Sequence, residues 1–273
     1  MSIDNFITLA LAEDIGRGDL FEKVAVAVEY RVSIISNSDG ILAGQKYVEY
    51  LCRIQNIEIN FLKVDGSSIG KGDVLAIATG TSIDILRSER LILNILQHAS
   101  GIATNVKKYT SITDRYNVKL LDTRKTRPLL REFEKYATSI GGAINHRFGL
   151  DDALMIKDTH RNSINNLQTF IEHARGVIPF TAKIELECDN VDDAIEALCL
   201  DIDILMCDNM TANDIAGIVS KRNSLHAKIL IEASGGIVLD NIENYCKTGV
   251  DAISVGSLIH QATWLDFSMK GAS

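Results

Sequence analysis

Two rhythms of apolar and polar residues divide the chain near residue 115. Before that point the patterns are mixed. Asp4–Ala12 spaces its apolar residues like a short amphipathic helix, Glu29–Ser36 alternates like a strand, and Gly44–Ile54 is helical again. Ile57–Val64 and Val74–Ala78 read as strands on either side of the turn Gly66–Gly70. A long helical run from about Ile83 to Arg115 follows, with Gly101 as a candidate break, because glycine weakens a helix interior. Strands and helices mixed in this way predict an α+β domain on an antiparallel sheet.

Beyond residue 115 the pattern becomes regular. Short apolar runs recur at Val118–Leu121, Leu154–Ile156, Ile184–Cys188, Ile202–Met206, Ile229–Ile231 and Ile253–Val255. Helical patterns stand between them at Asn165–Ala174, Val191–Leu198, Ala212–Ser220 and Leu239–Cys246. Such βα repeats predict a parallel sheet with right-handed crossovers. The sheet either closes as a short barrel or stays open; the eight strands of the common barrel do not fit.

Composition narrows the class. The chain is 46% hydrophobic, enough for a sizeable core, and its 23% charged residues and two prolines argue against long disorder. No segment reaches the roughly 18 uncharged apolar residues of a membrane span. Met1–Ala12 carries Asp4 and no Lys or Arg, unlike the cationic start of a secretory signal. Five cysteines, odd in number and without C-x-x-C spacing, predict reduced thiols in a cytoplasmic protein.

A net charge of −8 speaks against nucleic acid or an acidic membrane as partner. Asp122–Arg161 nevertheless holds eight Lys/Arg (124, 125, 127, 131, 135, 147, 157, 161) against six acids, with His146 and His160. A cationic island in an acidic chain points to a small anionic ligand.

Almost every apolar run of the second half ends in chemistry. The runs deliver Asp122-Thr-Arg124-Lys125, then Lys157-Asp158-Thr-His160, then Glu185 and Glu187, then Asp208-Asn209. The last two deliver Glu232-Ala-Ser234-Gly235-Gly236 and Gly256-Ser257, with His260 shortly after. Parallel α/β proteins bind ligands at the carboxyl ends of their strands, so six such ends read as one site. Ser234-Gly235-Gly236 before the helix near Leu239, and Gly256-Ser257, are candidate phosphate cradles. Glu187 and Asp208 suit Mg2+, a hard ion preferring oxygen ligands, or else neutralise Lys157 or Lys125 as ion pairs. Glu185 shares the strand face of Glu187, with Lys183 as a candidate partner. By pattern alone Arg90 is a solvated helix charge, and His98, His173 and His226 are structural.

The stretches DTRKTRPLLREFEKYA, GGAINHRFGLDDALMIKDTH, KIELEC, MCDNM, IEASGGI and TGVDAISVGSLIH together resemble the quinolinate phosphoribosyltransferase family. ALAEDIGRGDL and SERLILNILQHASGIAT extend the resemblance, which runs from about residue 9 to residue 260. It implies an N-terminal α+β open sandwich domain (1–104) and an incomplete, six- to seven-stranded parallel α/β barrel (105–261). The tail 262–273 is expected to pack on the first domain. The implied reaction transfers phosphoribosyl from phosphoribosyl pyrophosphate to quinolinate, with decarboxylation to nicotinate mononucleotide, in NAD biosynthesis. It uses Mg2+ and no organic cofactor.

The resemblance also assigns roles. Arg124, His146, Arg147 and Lys157, with Thr123, match the residues that bind the quinolinate carboxylates. Arg90 matches an arginine lent across a homodimer interface. Lys125 matches a residue near both ligands, and Glu187 and Asp208 match carboxylates at the ribose and Mg2+. Ser234, Gly235, Gly236, Gly256, Ser257 and His260 match the phosphate loops. Lys125, Lys157, Glu187 and Asp208 form the implied catalytic set. Leu129, Ala143, Thr159 and Cys207 depart from the family's usual Gly, Gly, Asn and Leu. A Schiff-base lyase using Lys157 or Lys125, a diverged relative with another substrate, and a non-catalytic scaffold are the rival readings.

Overall fold

The first helix, α1 (Ile3–Ile15), begins where the Ser2 hydroxyl accepts the Asn5 amide at 3.3 Å and ends at Gly16, whose φ of 56° an L side chain rarely adopts. It buries Ile7 and Leu11, one turn apart. β1 (Glu29–Ser36) turns Val32, Ile34 and Ser36 inward, as its alternation predicts. The two-residue β2 (Gly40–Ile41) leads to α2 (Gln45–Ile54), which buries Tyr47, Val48, Leu51 and Cys52. β3 (Glu58–Phe61), β4 (Ser68–Ile69) and β5 (Val74–Thr81) follow. α3 (Ser82–Thr113) runs for 32 residues without a break.

Gly101 therefore does not interrupt α3. A Cβ there would meet the backbone of Thr263 and lie 3.0 Å from Trp264 Cα, so the glycine serves close packing of the C-terminal segment.

The structure, a computed structural model, describes residues 1–271, and the last two residues of the expected tail lie outside the described residues. It divides into two units. The first comprises Met1–Lys107, Thr126–Gly142 and the chain from Leu258; the second comprises Lys108–Lys125 and Ala143–Ser257.

The second unit is a parallel sheet. Its strands are β6 (Lys119–Leu121) and, after α4 (Arg131–Ile140) of the first unit, β7 (Leu154–Ile156), β8 (Ile184–Cys188), β9 (Ile204–Asp208), β10 (Leu230–Ser234) and β11 (Ala252–Ser254). The order is β6-β11-β10-β9-β8-β7, so the first strand lies beside the last. β6 and β7 remain the two edges, and an isolated parallel bridge from Leu121 to Ile144 begins to fill the free side of β6. The barrel is incomplete at this seam. Helices such as Leu167–Val177 and Ala212–Ser224 connect the strands.

β12 (Phe267–Gly271) returns to the first unit and completes the antiparallel sheet β12-β1-β5-β3. α4 packs in that unit through Phe133, whose ring lies 5.2 Å from Phe6 and 4.9 Å from Tyr47. Behind it, fully buried Glu134 accepts from Arg127 Nη1 at 2.7 Å and the Arg127 amide at 2.8 Å, with His98 Nε2 at 3.1 Å. No helix among the described residues is long and apolar enough to cross a membrane.

Candidate active site

The carboxyl ends of the barrel strands enclose a cavity of about 330 Å3 in the second unit. β6 supplies Thr123, Arg124 and Lys125 just beyond its end; β7 supplies Met155 and, just beyond, Lys157. Glu187 comes from β8, Met206 and Asp208 from β9, Ser234 from β10 and Ser254 from β11. Residues two apart share a strand face, which places Met206 beneath Asp208, and Glu185 and Glu232 beneath Glu187 and Ser234. His146 and Arg147 enter from the segment that follows the seam.

The cations of the island separate in space. Arg124, Lys125, Arg147 and Lys157 line the cavity. Arg127, Arg131 and fully buried Lys135 belong to the first unit, and Arg161 pairs with Asp193 at 2.6 Å. Arg147 is buried, and no carboxylate lies within ion-pair distance of it among the described residues. Its guanidinium donates to the Ala153 carbonyl at 3.1 Å and faces Met155 Sδ at 3.4 Å. Burial, and then the Arg124 charge, hold it below the usual guanidinium range. A buried cation in this state favours an anion. Lys157 Nζ pairs with the Glu187 carboxylate, so that acid neutralises a lysine as one sequence reading allowed.

Beneath the cations lies an acidic floor. Asp122, Glu185 and Glu232 are 0%, 0% and 2% exposed. Asp122 accepts the His146 amide at 2.9 Å and the Asn145 side chain at 2.6 Å. His146 Nε2 lies 3.3 Å from Glu185 Oε2 and 3.5 Å from Glu232 Oε1. Its Nδ1 accepts the Arg147 amide at 2.7 Å. Burial disfavours the imidazolium, while the hydrogen bonds and charges of Glu185 and Glu232 strengthen the hold of the cluster as a whole on a proton. Full protonation would set an N–H on Nδ1 against the Arg147 amide. The geometry therefore assigns the ring hydrogen to Nε2 and leaves Nδ1 bare, and burial raises the pKa of the neighbouring Glu185. The partner of Glu185 is thus His146, whereas Lys183 is exposed.

The glycine loops have specific packing reasons. Gly235, at φ 82°, lies so close to Asn209 that a Cβ would be 2.6 Å from the Asn209 nitrogen. Asn209 is itself left-handed at φ 56° and donates to Asp208 Oδ2 at 2.7 Å. A Cβ on Gly256 would sit 2.7 Å from Lys125 Cδ, so this glycine makes room for the lysine stem. The helix after Ser234-Gly235-Gly236 starts only at Ile242, not near Leu239. Residues 237–241 form a turn in which Asn241 accepts the Val238 amide at 2.8 Å. The expected helix N-terminus therefore does not abut these glycines. Gly235, Gly236, Gly256 and Ser257 lie beside the cavity-lining residues in sequence.

His160 accepts the Lys157 amide at 3.1 Å and caps a one-turn helix, α5 (Asp158–Arg161). His98 is structural, stacked on Trp264 at 5.2 Å. Arg90 is exposed on α3 and His260 is exposed at the start of the last segment, both in the first unit. Sequence reasoning missed Met155, Met206 and Ser254, all cavity-lining. The signal was available in their two-residue spacing from Lys157, Asp208 and Gly256.

Two family models match. "Quinolinate phosphoribosyl transferase, N-terminal domain" covers residues 19–100, and "Quinolinate phosphoribosyl transferase, C-terminal domain" covers residues 102–270. A protein of Synechocystis named "Probable nicotinate-nucleotide pyrophosphorylase", carboxylating, is 35% identical over 272 residues, covering 98% of this chain and 92% of its own length. The human carboxylating nicotinate-nucleotide pyrophosphorylase is 31% identical over 242 residues, 88% of this chain and 82% of its own. The nicotinate-nucleotide pyrophosphorylase structure from Francisella tularensis superposes with a TM-score of 0.92 at 33% identity, covering 99% of this chain and 96% of that one.

Proposed function

Because the chain belongs to the quinolinate phosphoribosyl transferase family, we propose that it transfers phosphoribosyl from phosphoribosyl pyrophosphate to quinolinate with decarboxylation. The products are nicotinate mononucleotide, CO2 and pyrophosphate, a step of NAD biosynthesis. One observation carries the reading: buried Arg147, without a carboxylate partner among the described residues, converges with Arg124, Lys125 and Lys157 on one cavity. A substrate pair carrying two carboxylates, a monophosphate and a diphosphate matches that electrostatic demand.

In this reading Arg124, Arg147 and Lys157, with Thr123, receive the quinolinate carboxylates, while His146, which the motif groups with them, stands behind Arg147 with its ring nitrogens turned to the protein. Lys125 lies between the two substrates. Ser234, Gly235, Gly236, Gly256 and Ser257 receive the phosphates, with His260 added from the motif. The pyridine nitrogen attacks the anomeric carbon as pyrophosphate leaves. Positive charge develops on the ribose, and Glu187 and Asp208 stabilise it. The bond to the carboxylate beside the nitrogen then breaks, its electron pair passes into the ring against the quaternised nitrogen, and a proton replaces the CO2. The protein's part is positioning and electrostatics.

Glu187 and Asp208 are hard oxygen donors lining the cavity and fit Mg2+, which would supply charge neutralisation of the diphosphate. The family's motifs support a homodimer in which Arg90 serves the partner's cavity. They also support a division into an N-terminal domain to about residue 104, a barrel domain of 105–261 and a tail, and the family models change over near residue 101. The free cysteines, four buried and Cys199 exposed, support a cytoplasmic location.

The assay is direct. Protein incubated with quinolinate, phosphoribosyl pyrophosphate and Mg2+ forms nicotinate mononucleotide and CO2, while nicotinic acid is not used; no product from quinolinate would reject the proposal. Arg124→Ala or Arg147→Ala is expected to weaken quinolinate binding about 100-fold with the fold intact. Unchanged kcat/KM in either variant would remove that arginine from the site.

A further inference from the structure

We propose that Glu185, His146 and Glu232 form a positioning triad that fixes Arg147 in the cavity, so that the two buried acids act on the substrate only through the arginine. The inference rests on the functional reading above, in which Arg147 holds a quinolinate carboxylate.

The segment Asn145–Arg147 lies outside every helix and ladder except the single bridge at Ile144. A backbone without ladder bonds is fixed by side chains or not at all. Three buried acids do the fixing here. Asp122 accepts the His146 amide and the Asn145 side chain. Glu185 and Glu232 approach the ring from β8 and β10, with β9 between them. The ring passes this constraint on, because Nδ1 accepts the Arg147 amide at 2.7 Å. That bond requires a bare Nδ1, so Nε2 carries the hydrogen and points it at the two carboxylates. Both ring nitrogens are thus committed within the protein, and the imidazole orients the next residue. The Ala153 carbonyl then fixes one Nη at 3.1 Å, holding the guanidinium in place.

The same three residues have donor atoms within 4.8 Å of one another, a composition that suits a metal ion. A protonated Nε2 has no lone pair to offer, so the amide bond to Nδ1 selects positioning over coordination. Supporting groups of this kind alter ligand affinity about 10–100-fold without touching the ligand.

The test measures equilibrium binding of quinolinate and of phosphoribosyl pyrophosphate to the full chain. Glu185→Leu and Glu232→Leu are expected to weaken quinolinate about tenfold or more. The glutamine variants keep an acceptor oxygen and should stay within about threefold. Binding of phosphoribosyl pyrophosphate should change less than about twofold, and the quinolinate effect should vanish in an Arg147→Ala background, since coupled residues are non-additive. Equal weakening of both ligands, additivity with Arg147→Ala, or unchanged quinolinate binding in a folded leucine variant would each overturn the triad. A stoichiometric metal retained on purification and lost in the His146→Leu variant would overturn it too. Should the leucine variants not fold, His146→Leu, which removes the Nδ1 acceptor of the Arg147 amide, run through the same cycle decides by the same criterion. Failure of the wild-type protein to bind quinolinate would instead reject the functional reading, which keeps the two failures apart.

Discussion

Leu129 carries a φ of 67°, in the left-handed region where a leucine costs about 1–2 kcal/mol. It follows Pro128, where the family resemblance implies glycine, and it is 73% exposed, so little packing offsets the strain. Leu129→Gly should raise the unfolding free energy by about 0.5–1 kcal/mol, the relief of strain exceeding the added entropy of the unfolded glycine. Urea unfolding of the two proteins measures this, and a destabilised glycine variant would contradict it. The departure was visible in the sequence; the positive φ that gives it an energy was not. The same division holds in the cavity. Arg124, Lys157, Glu187 and Asp208 announced themselves as charged residues at strand ends, and Arg147 through the cationic window. Glu185 and Glu232 did not reveal their partner, because pairing with His146 depends on which inward position of β8 and β10 meets the seam.

At the scale of elements, strands were legible where apolar runs stood between polar clusters. Glu29–Ser36, Leu154–Ile156 and Ile184–Cys188 are strands over the predicted residues. α4 was legible but went unread: Phe133, Tyr136, Ala137 and Ile140 stand at i, i+3, i+4 and i+7, an apolar stripe, while the charges of Glu134 and Lys135, both buried beside it, drew the reading toward the cationic window. Glu134 makes α4 pH-sensitive. Burial alone would raise its pKa, but hydrogen bonds from His98 and Arg127 outweigh burial and lower it from 4.5. A depressed folded pKa contributes stability above the unfolded value that is lost as pH falls through the folded one. Glu134→Ala should therefore cost about 3 kcal/mol at pH 7, since it leaves Arg127 and His98 without their buried acid. The gap to wild type should narrow as pH drops below 4.5. Chemical unfolding of both proteins between pH 3 and 7 tests this; a gap independent of pH would show that the loss is one of packing.

At the scale of the molecule, the proposed shared homodimer makes a quantitative prediction. Arg90→Ala and Lys157→Ala chains should each be inactive. In a mixed dimer one site carries both lesions and the other carries neither. Random mixing should therefore restore about a quarter of wild-type activity. No recovery after confirmed subunit exchange would confine the site to one chain. The net charge of −8 indicated an acidic protein, yet the chain concentrates its cations where the barrel strands end. That contrast was readable as a charge window. Its subdivision was not, because Arg127, Arg131 and Lys135 join the first unit and leave the cavity to four cations.

The chain enters and leaves the barrel unit twice, at 108–125 and again at 143–257. The two halves are interlaced, and neither is a cassette that recombination could exchange whole. A chimera joined near residue 101, where the two family models meet, would draw 126–142 from one parent and Phe6, Tyr47 and His98 from the other. Its success would turn on whether one parent's α4 fits the other parent's aromatic bed.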